Sequence, residues 1–154
     1  MVALGLALVL AVAPGLLGCS ASGAGAASAT PATSAAASQA GVTEDGTYTS
    51  KDEVALYIHT YGHLPSNFVS KTKARAAGWV SSEGNLDEVL PGRSIGGSTY
   101  YDDDGDLPDA DGRTWTECDI DYHGGYRGSE REIFSNDGLV FYTDDHYQTF
   151  EQLY

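Results

Sequence analysis

The chain has 154 residues, which is enough for one domain of ordinary size with an appendage. Its 22 acidic and 8 basic residues give a formal net charge of −14, and all of them lie between residues 44 and 154. A surface that coats DNA or RNA non-specifically needs excess positive charge, so the composition excludes that class of protein. Both Trp, all 10 Tyr and all 4 Phe lie in the same segment. That segment can therefore form a core and is not a disordered acidic tail.

The first residues predict an export signal. Residues 2–17 form an apolar run that is shorter than the roughly 20 residues of a membrane-spanning helix. This length is typical of a secretory signal peptide. The run ends in Leu-Leu-Gly-Cys19, which resembles a bacterial lipobox, so we predict a signal peptide over residues 1–19 with a lipid on Cys19. A plain signal peptide with a chance cysteine is the alternative. No Lys or Arg precedes Lys51, so we expect the coding sequence to begin upstream.

Residues 20–43 are rich in Ala, Ser, Gly and Thr, a composition that predicts a flexible linker. We therefore expect an extracellular protein, either secreted or anchored by lipid to the outer face of the bacterial membrane. The folded domain is predicted to cover residues 44–154.

Helices are predicted first in this domain. Ser50 and Glu53 have the spacing of a capping box, and apolar residues follow at helical spacing as far as Tyr61. A second short helix is predicted over residues 71–77, with Ser70 at its start and Gly78 at its end. A third turn is predicted over residues 86–90.

The pattern then changes to short segments rich in aromatic and β-branched residues. Strands are predicted over residues 94–100, 114–122, 130–135, 139–143 and 148–153. Helices followed by strands with short connections predict an α+β domain, with N-terminal helices packed on a roughly five-stranded antiparallel sheet. Period-2 alternation places Cys118 on the helix-covered face and Glu117 on the opposite face. Cys118 is predicted to be a small buried hydrophobic residue.

Two sets of residues are candidates for chemistry. Glu117 and His146 could form an acid and base pair, while a surface glutamate and a loop histidine are the ordinary alternative. Arg127 and Arg131 flank a Gly-Ser turn and could converge with Lys71 on a phosphate. Salt bridges within an acidic protein are the alternative for these cations.

The acidic stretch from Asp102 to Asp111 holds six Asp and suggests calcium. Asp102, Asp104 and Asp106 match positions 1, 3 and 5 of an EF-hand loop. However, Leu107 stands where the loop needs glycine, and Arg113 stands where it needs glutamate. We therefore predict no metal site, and keep a catalytically weak domain that binds calcium or a protein partner as the alternative function.

Five phrases carry a resemblance that covers the chain from about residue 54 to residue 153. They are YGHLPSNFVSK at 61–71, GWVSSEGNL at 78–86, PGRSIGG at 91–97, GRTWTECDI at 112–120 and TDDHYQTF at 143–150. In order and spacing they resemble the barnase-type microbial ribonucleases. The resemblance implies the microbial ribonuclease fold and a monomeric endoribonuclease that uses no cofactor. It also implies cleavage of single-stranded RNA 3′ of guanosine through a 2′,3′-cyclic phosphate.

The resemblance implies a role for each residue that matches the family's motifs. Glu117 matches the general base and His146 the general acid. The cations that hold the scissile phosphate are matched by Lys71, Arg127 and Arg131. Tyr147 matches the aromatic residue beside the catalytic histidine, and Asp119 matches the acidic partner of Arg127. Arg113 and Asp137 match a structural ion pair.

The guanine-binding loop matches residues 100–104, so Tyr100, Tyr101, Asp103 and Asp104 are predicted substrate-binding residues. Asp104 takes the position of the family's guanine-binding carboxylate, usually a glutamate, and Asp103 replaces a basic residue. A barstar-like protein inhibitor docks at this loop in the family and is a candidate partner. Glu132 replaces an apolar strand residue, so we expect it at a bulge or at a water-accessible edge.

Overall fold

The computed structural model describes residues 41–154, so the predicted signal peptide and residues 20–40 of the predicted linker lie outside the described residues. The helices are α1 (Lys51–Tyr61), α2 (Lys71–Ala76) and α3 (Leu86–Val89). The strands are β1 (Phe68–Val69), β2 (Ser94–Tyr100), β3 (Trp115–Asp119), β4 (Arg131–Ser135), β5 (Val140–Thr143) and β6 (Glu151–Gln152). The predicted α+β fold is confirmed. None of the helices in residues 41–154 is both long and apolar enough to cross a membrane.

Helix α1 begins and ends where its sequence signals predict. Ser50 is the N-cap, but its hydroxyl donates to the Glu53 carboxylate at 2.6 Å instead of accepting from a backbone N–H. The helix ends because Gly62 adopts a φ of 74°, which glycine tolerates without a steric cost, and its N–H donates to the Ile58 carbonyl. The apolar stripe of α1, which includes Val54, Ala55 and Ile58, is buried.

Helix α2 carries the first predicted phosphate-binding residue at its first position. The Ser70 hydroxyl accepts a hydrogen bond from the Lys73 N–H at 3.3 Å, which caps the helix and fixes where Lys71 begins it. Ala74 and Trp79 then pack with Leu86 of α3 against Ile95 of β2. This small cluster attaches the lysine-bearing helix to the sheet.

The sheet has the strand order β1-β2-β3-β4-β5-β6. All neighbouring strands are antiparallel except β1, which runs parallel to β2 through Phe68 opposite Ser94 and Val69 opposite Ile95. The sequence predicted five strands and missed β1. Two residues are too few for a periodic signal, and this strand exists because the chain between α1 and α2 runs along the edge of β2.

The two faces of the sheet carry different cores. Cys118 and Ile120 pack with Phe134 and Val140 against α1. The opposite face holds a second cluster of Leu107, Trp115, Ile133 and Phe141. Cys118 is a free thiol and is 1 % exposed, as predicted, and burial raises its pKa well above the ordinary value. Glu117 points away from the α1 core, which confirms the predicted alternation.

An ion pair closes the hairpin end of the sheet. Arg113 precedes β3, and its Nε and Nη2 donate to both oxygens of Asp137 at distances from 2.6 to 3.0 Å. Asp137 lies in the turn between β4 and β5, and the hydrogen bonds from Arg113 lower its pKa to about 2. The bidentate geometry agrees with the structural pair that the resemblance implied.

The expectation for Glu132 was wrong. β4 lies between β3 and β5 and pairs with β3 without a break from Arg131 to Ser135, so Glu132 is neither at an edge nor at a bulge. Its side chain is fully buried, and neither carboxylate oxygen has a hydrogen-bond partner among the described residues. Burial raises its pKa well above the ordinary value, and the charges of Asp52 and Asp121 add to this while Lys51 opposes it.

Glu132→Leu is expected to stabilise the domain at neutral pH. The folded state binds the Glu132 proton more tightly than the unfolded state does, so the wild-type free energy of unfolding falls as pH rises above the carboxyl's ordinary pKa of 4.5. Relative to wild type, the free energy of unfolding of the variant should rise by up to about 1.4 kcal/mol for each pH unit above the ordinary pKa, until the raised pKa is reached. Urea unfolding from pH 4 to pH 9 measures this difference. Glu83→Leu, at an exposed glutamate, is the control, and parallel pH profiles for wild type and Glu132→Leu would contradict the prediction.

Candidate active site

The strand register places several polar residues on one sheet face. Glu117 and Asp119 are two apart on β3 and therefore point to the same side. Arg131 of β4 lies opposite Asp119, and Thr143 of β5 lies opposite Arg131. This face is the one away from α1, and the chain segments around it contribute the remaining site residues.

The Glu117 carboxylate is held by two donors. Lys71 Nζ donates to Oε1 at 2.7 Å, and the Tyr147 hydroxyl donates to Oε2 in a short hydrogen bond. Burial opposes ionisation of Glu117, but the hydrogen bonds from Lys71 and Tyr147 and the charge of Arg127 outweigh it, so the pKa is below the ordinary value. Glu117 is therefore a fixed, ionised carboxylate at neutral pH, as a proton acceptor must be.

Asp119 holds both predicted arginines. Arg127 donates from Nη2 to Oδ1 at 2.6 Å and from Nε to Oδ2 at 2.5 Å, and this pairing raises the pKa of the guanidinium. Arg131 Nε lies 3.1 Å from Asp119 Oδ1, and Arg131 Nη1 donates to the Gly128 carbonyl at 2.9 Å. The Asp119 side chain is only 3 % exposed. A single buried carboxylate thus gathers two cations beside Glu117.

His146 and Tyr147 follow β5 in a tight turn. The Tyr147 ring stacks on Tyr100 with centroids 5.2 Å apart, and the His146 ring lies 4.7 Å from the Tyr147 ring. Burial and the Glu117 hydrogen bond raise the pKa of the Tyr147 phenol, so it remains a donor at neutral pH. Tyr147 therefore connects the carboxylate, the imidazole and the end of β2.

The predicted guanine loop leaves β2 beside this site. Tyr101 is 75 % exposed, and Asp103 and Asp104 are also exposed and make no ion pair or hydrogen bond with residues 41–154. Asp102 behaves differently, because its carboxylate accepts the Asp106 and Leu107 N–H groups at 3.1 and 3.0 Å and closes the loop. Across residues 41–154, the structure has no cluster of three or more His, Cys, Asp or Glu side chains arranged to hold a metal ion.

The structure thus gathers Lys71, Tyr100, Glu117, Arg127, Arg131, His146 and Tyr147 around one sheet face, and leaves Tyr101, Asp103 and Asp104 on the adjoining loop. Sequence reasoning missed two residues of this region. Thr143 and Asp145 form the hydrogen bonds that fix the turn carrying His146. The Thr-Asp-Asp stretch before His146 is the signal that could have found them, since these residues commonly bond to nearby backbone N–H groups.

Comparison with known proteins identifies the family of the chain. A ribonuclease family model matches residues 51–154, which include every residue of the gathered site. The chain belongs to the barnase-type ribonuclease family. It is 49 % identical over 102 residues to a ribonuclease of Heyndrickxia coagulans, and the match covers 66 % of this chain and 94 % of that protein. Ribonucleases of Bacillus intermedius and Bacillus pumilus are also 49 % identical over 102 residues, and the chain spans 63 % of their length.

Within this ribonuclease fold, Tyr147→Phe is expected to raise the pKa of Glu117. The substitution removes one of the two side-chain donors that favour the ionised carboxylate and keeps the ring that stacks on Tyr100. A carbon-13 NMR titration of the glutamate carboxyl groups measures the change. Tyr101→Phe, which removes an exposed hydroxyl on the neighbouring loop, is the matched control and should leave the Glu117 titration unchanged. An equal titration curve in wild type and Tyr147→Phe would contradict the prediction.

Proposed function

We propose that the protein is an endoribonuclease that cleaves single-stranded RNA 3′ of guanosine and needs no metal ion. One observation carries the proposal. An ionised Glu117, held by Lys71 and Tyr147, shares a sheet face with two arginines anchored on Asp119, and the His146 ring lies against Tyr147. A base, an acid and a group of cations are the components that phosphoryl transfer from a ribose 2′-hydroxyl requires.

In the first step Glu117 accepts the proton of the ribose 2′-hydroxyl, and the 2′-oxygen attacks the phosphorus. The bond from phosphorus to the 5′-oxygen of the next nucleotide breaks, and that oxygen takes a proton from cationic His146. The products are a 2′,3′-cyclic phosphate and a free 5′-hydroxyl. In the second step His146 removes a proton from water, and the water oxygen adds to the phosphorus. The bond from phosphorus to the 2′-oxygen breaks, Glu117 returns its proton to that oxygen, and a 3′-phosphate is formed, so the two roles are reversed.

The three cations supply the positive charge that the reaction needs. Negative charge grows on the non-bridging phosphate oxygens as the 2′-oxygen attacks, and fixed guanidinium and ammonium groups stabilise it. Two hydrogen bonds to the buried Asp119 fix the position of the Arg127 guanidinium, so its charge can stabilise the phosphate oxygens without reorganisation of the side chain. Lys71 is one-third exposed and lies on Glu117, so it can contact both the base and a bound phosphate.

Guanine preference is assigned to the loop after β2. The family uses backbone N–H groups of this loop for guanine O6 and a carboxylate for N1 and N2, and Asp104 has that carboxylate position here. Asp104 is exposed and unpaired among the described residues, so it is available to accept hydrogen bonds from a base. Its side chain is one methylene shorter than the usual glutamate, so we expect a weaker guanine preference than the family pattern gives.

We further propose that the enzyme is a monomer that acts outside the cell. The signal-like composition of residues 1–19 and the lipobox-like end at Cys19 support the location outside the cell, and the monomer is what the resemblance implies. A barstar-like inhibitor is a candidate partner. Such an inhibitor is acidic, so Asp103, which replaces a basic residue in the docking loop, is expected to weaken its binding.

The main prediction is that the domain converts guanylyl dinucleotides to guanosine 2′,3′-cyclic phosphate in excess EDTA. Glu117→Gln and His146→Ala should each lower kcat/KM by about 10²- to 10⁴-fold, because each removes one proton-transfer group. Chromatography of the products measures both statements. Glu83→Gln and His59→Ala, at residues outside the site, are the matched controls. A failure to form the cyclic product, or wild-type rates in both site variants, would overturn the proposal.

A second prediction concerns base preference. Asp104→Glu should raise the ratio of kcat/KM for guanylyl over adenylyl dinucleotides by about 10-fold, because the longer side chain restores charged hydrogen bonds to guanine. Competition between the two substrates in one reaction measures this ratio directly. Asp103→Glu adds the same methylene at the neighbouring exposed carboxylate and should leave the ratio unchanged. The assignment of Asp104 fails if both variants change the ratio equally.

A further inference from the structure

The turn that carries His146 has an unfavourable backbone. His146 and Tyr147 both adopt positive φ angles, 60° and 71°, although neither is glycine. A left-handed conformation is sterically unfavourable for an L-residue with a Cβ, so two in succession require a compensating interaction.

Asp145 supplies that interaction. Its Oδ1 accepts hydrogen bonds from the Thr143 hydroxyl at 2.9 Å, the Gln148 N–H at 2.9 Å and the Thr149 N–H at 3.0 Å. Its Oδ2 accepts from the Thr149 hydroxyl at 2.7 Å. The hydrogen bonds from Thr149 lower the pKa of Asp145 to about 2, so the carboxylate is charged throughout the neutral range and its hydrogen bonds are of the stronger kind.

Thr143 connects this cluster to the sheet. Its hydroxyl donates to Asp145 and accepts from the Tyr147 N–H at 3.0 Å, and its side chain is buried. Thr143 also lies opposite Arg131 in the strand register. The turn is therefore fixed relative to the strand that carries one of the phosphate-binding cations.

The two residues in the turn depend on this cluster to different degrees. Tyr147 has other restraints, because its hydroxyl bonds to Glu117 and its ring stacks on Tyr100. His146 is exposed, and its imidazole makes no hydrogen bond to any residue between 41 and 154. Its only ring contact in that range is with Tyr147. The position of the imidazole therefore depends on the turn backbone.

We propose that Asp145 is the positioning residue for His146, holding the left-handed turn in which the imidazole faces the leaving 5′-oxygen. This inference rests on the proposed function, since it needs His146 to be the general acid. The carboxylate touches neither the substrate nor the reacting atoms, and acts through the backbone that it binds.

Two substrates that differ only in their leaving group test this role. A guanylyl dinucleotide expels a 5′-alkoxide, which needs a proton from the acid, whereas guanosine 3′-(4-nitrophenyl phosphate) expels a stable phenolate that does not. Asp145→Ala should lower kcat for the dinucleotide by about 100-fold, as loss of a general acid does, and leave kcat for the aryl ester nearly unchanged. KM for the dinucleotide should change little. Asp145→Asn keeps an acceptor oxygen for the backbone N–H groups and should recover most of the lost rate.

The same assay on His146→Ala separates the two proposals. If His146→Ala lowers kcat equally for both substrates, or for neither, then His146 is not the general acid and the proposed mechanism itself is overturned. If His146→Ala selectively slows the dinucleotide while Asp145→Ala slows both substrates equally or has no effect, only the positioning role is overturned. Thr149→Val removes one hydroxyl donor to Asp145 and should give a smaller loss with the same selectivity. It keeps the test decisive should Asp145→Ala fail to fold, which circular dichroism would reveal.

Discussion

The site depends most on the Asp119 carboxylate, which is buried on β3 between two guanidinium groups. Arg127 and Arg131 repel each other, and neither would stay beside the other in a partly dry site without an anion between them. Removing one partner of a buried ion pair commonly costs 3–5 kcal/mol, since the remaining charge has no water to solvate it. Because Arg131 lies opposite Asp119 in the β3–β4 register, the sheet pairing itself sets where this charge cluster forms.

This local arrangement explains how a chain with a net charge of −14 can act on a polyanion. A net charge describes the field at long range, which screening reduces beyond about 8 Å at physiological ionic strength. At the site, three cations lie within hydrogen-bonding distance of two carboxylates. A phosphate bound there interacts strongly with these fixed charges, whereas its repulsion by the distant acidic surface is largely screened. The acidic loop after β2 lies beside the site, so its negative charge is not screened there. We expect this charge to affect recognition of the base.

The sequence was sufficient for the parts of this arrangement that follow from local periodicity. Alternation along β3 placed Glu117 and Cys118 on opposite faces, and the cap at Ser70 fixed the start of the helix that carries Lys71. The resemblance supplied the partnership of Asp119 with Arg127. The second ion pair of Asp119, with Arg131, and the cluster of Asp145 with Thr143 and Thr149 could be found only from three-dimensional contacts. Strand β1 was missed for the same reason, since two residues carry no period of their own.

Glu132 shows where sequence reasoning fails on physical grounds. A pattern can show that a strand position is buried. A glutamate at such a position is ordinarily interpreted as a sign that the position is exposed to solvent, because burying an unpaired carboxyl is costly.

Glu117 and Glu132 are buried on adjacent strands of the same sheet, yet their pKa values shift in opposite directions. Lys71 and Tyr147 hold the first carboxyl in its charged form, whereas the second has no donor among the described residues and favours the proton. Because the two side chains project to opposite faces, the uncompensated carboxyl lowers the stability of the α1 core while the charged one stays available for chemistry. Partners, and not burial alone, therefore decide which acidic residue of this sheet can act as a base.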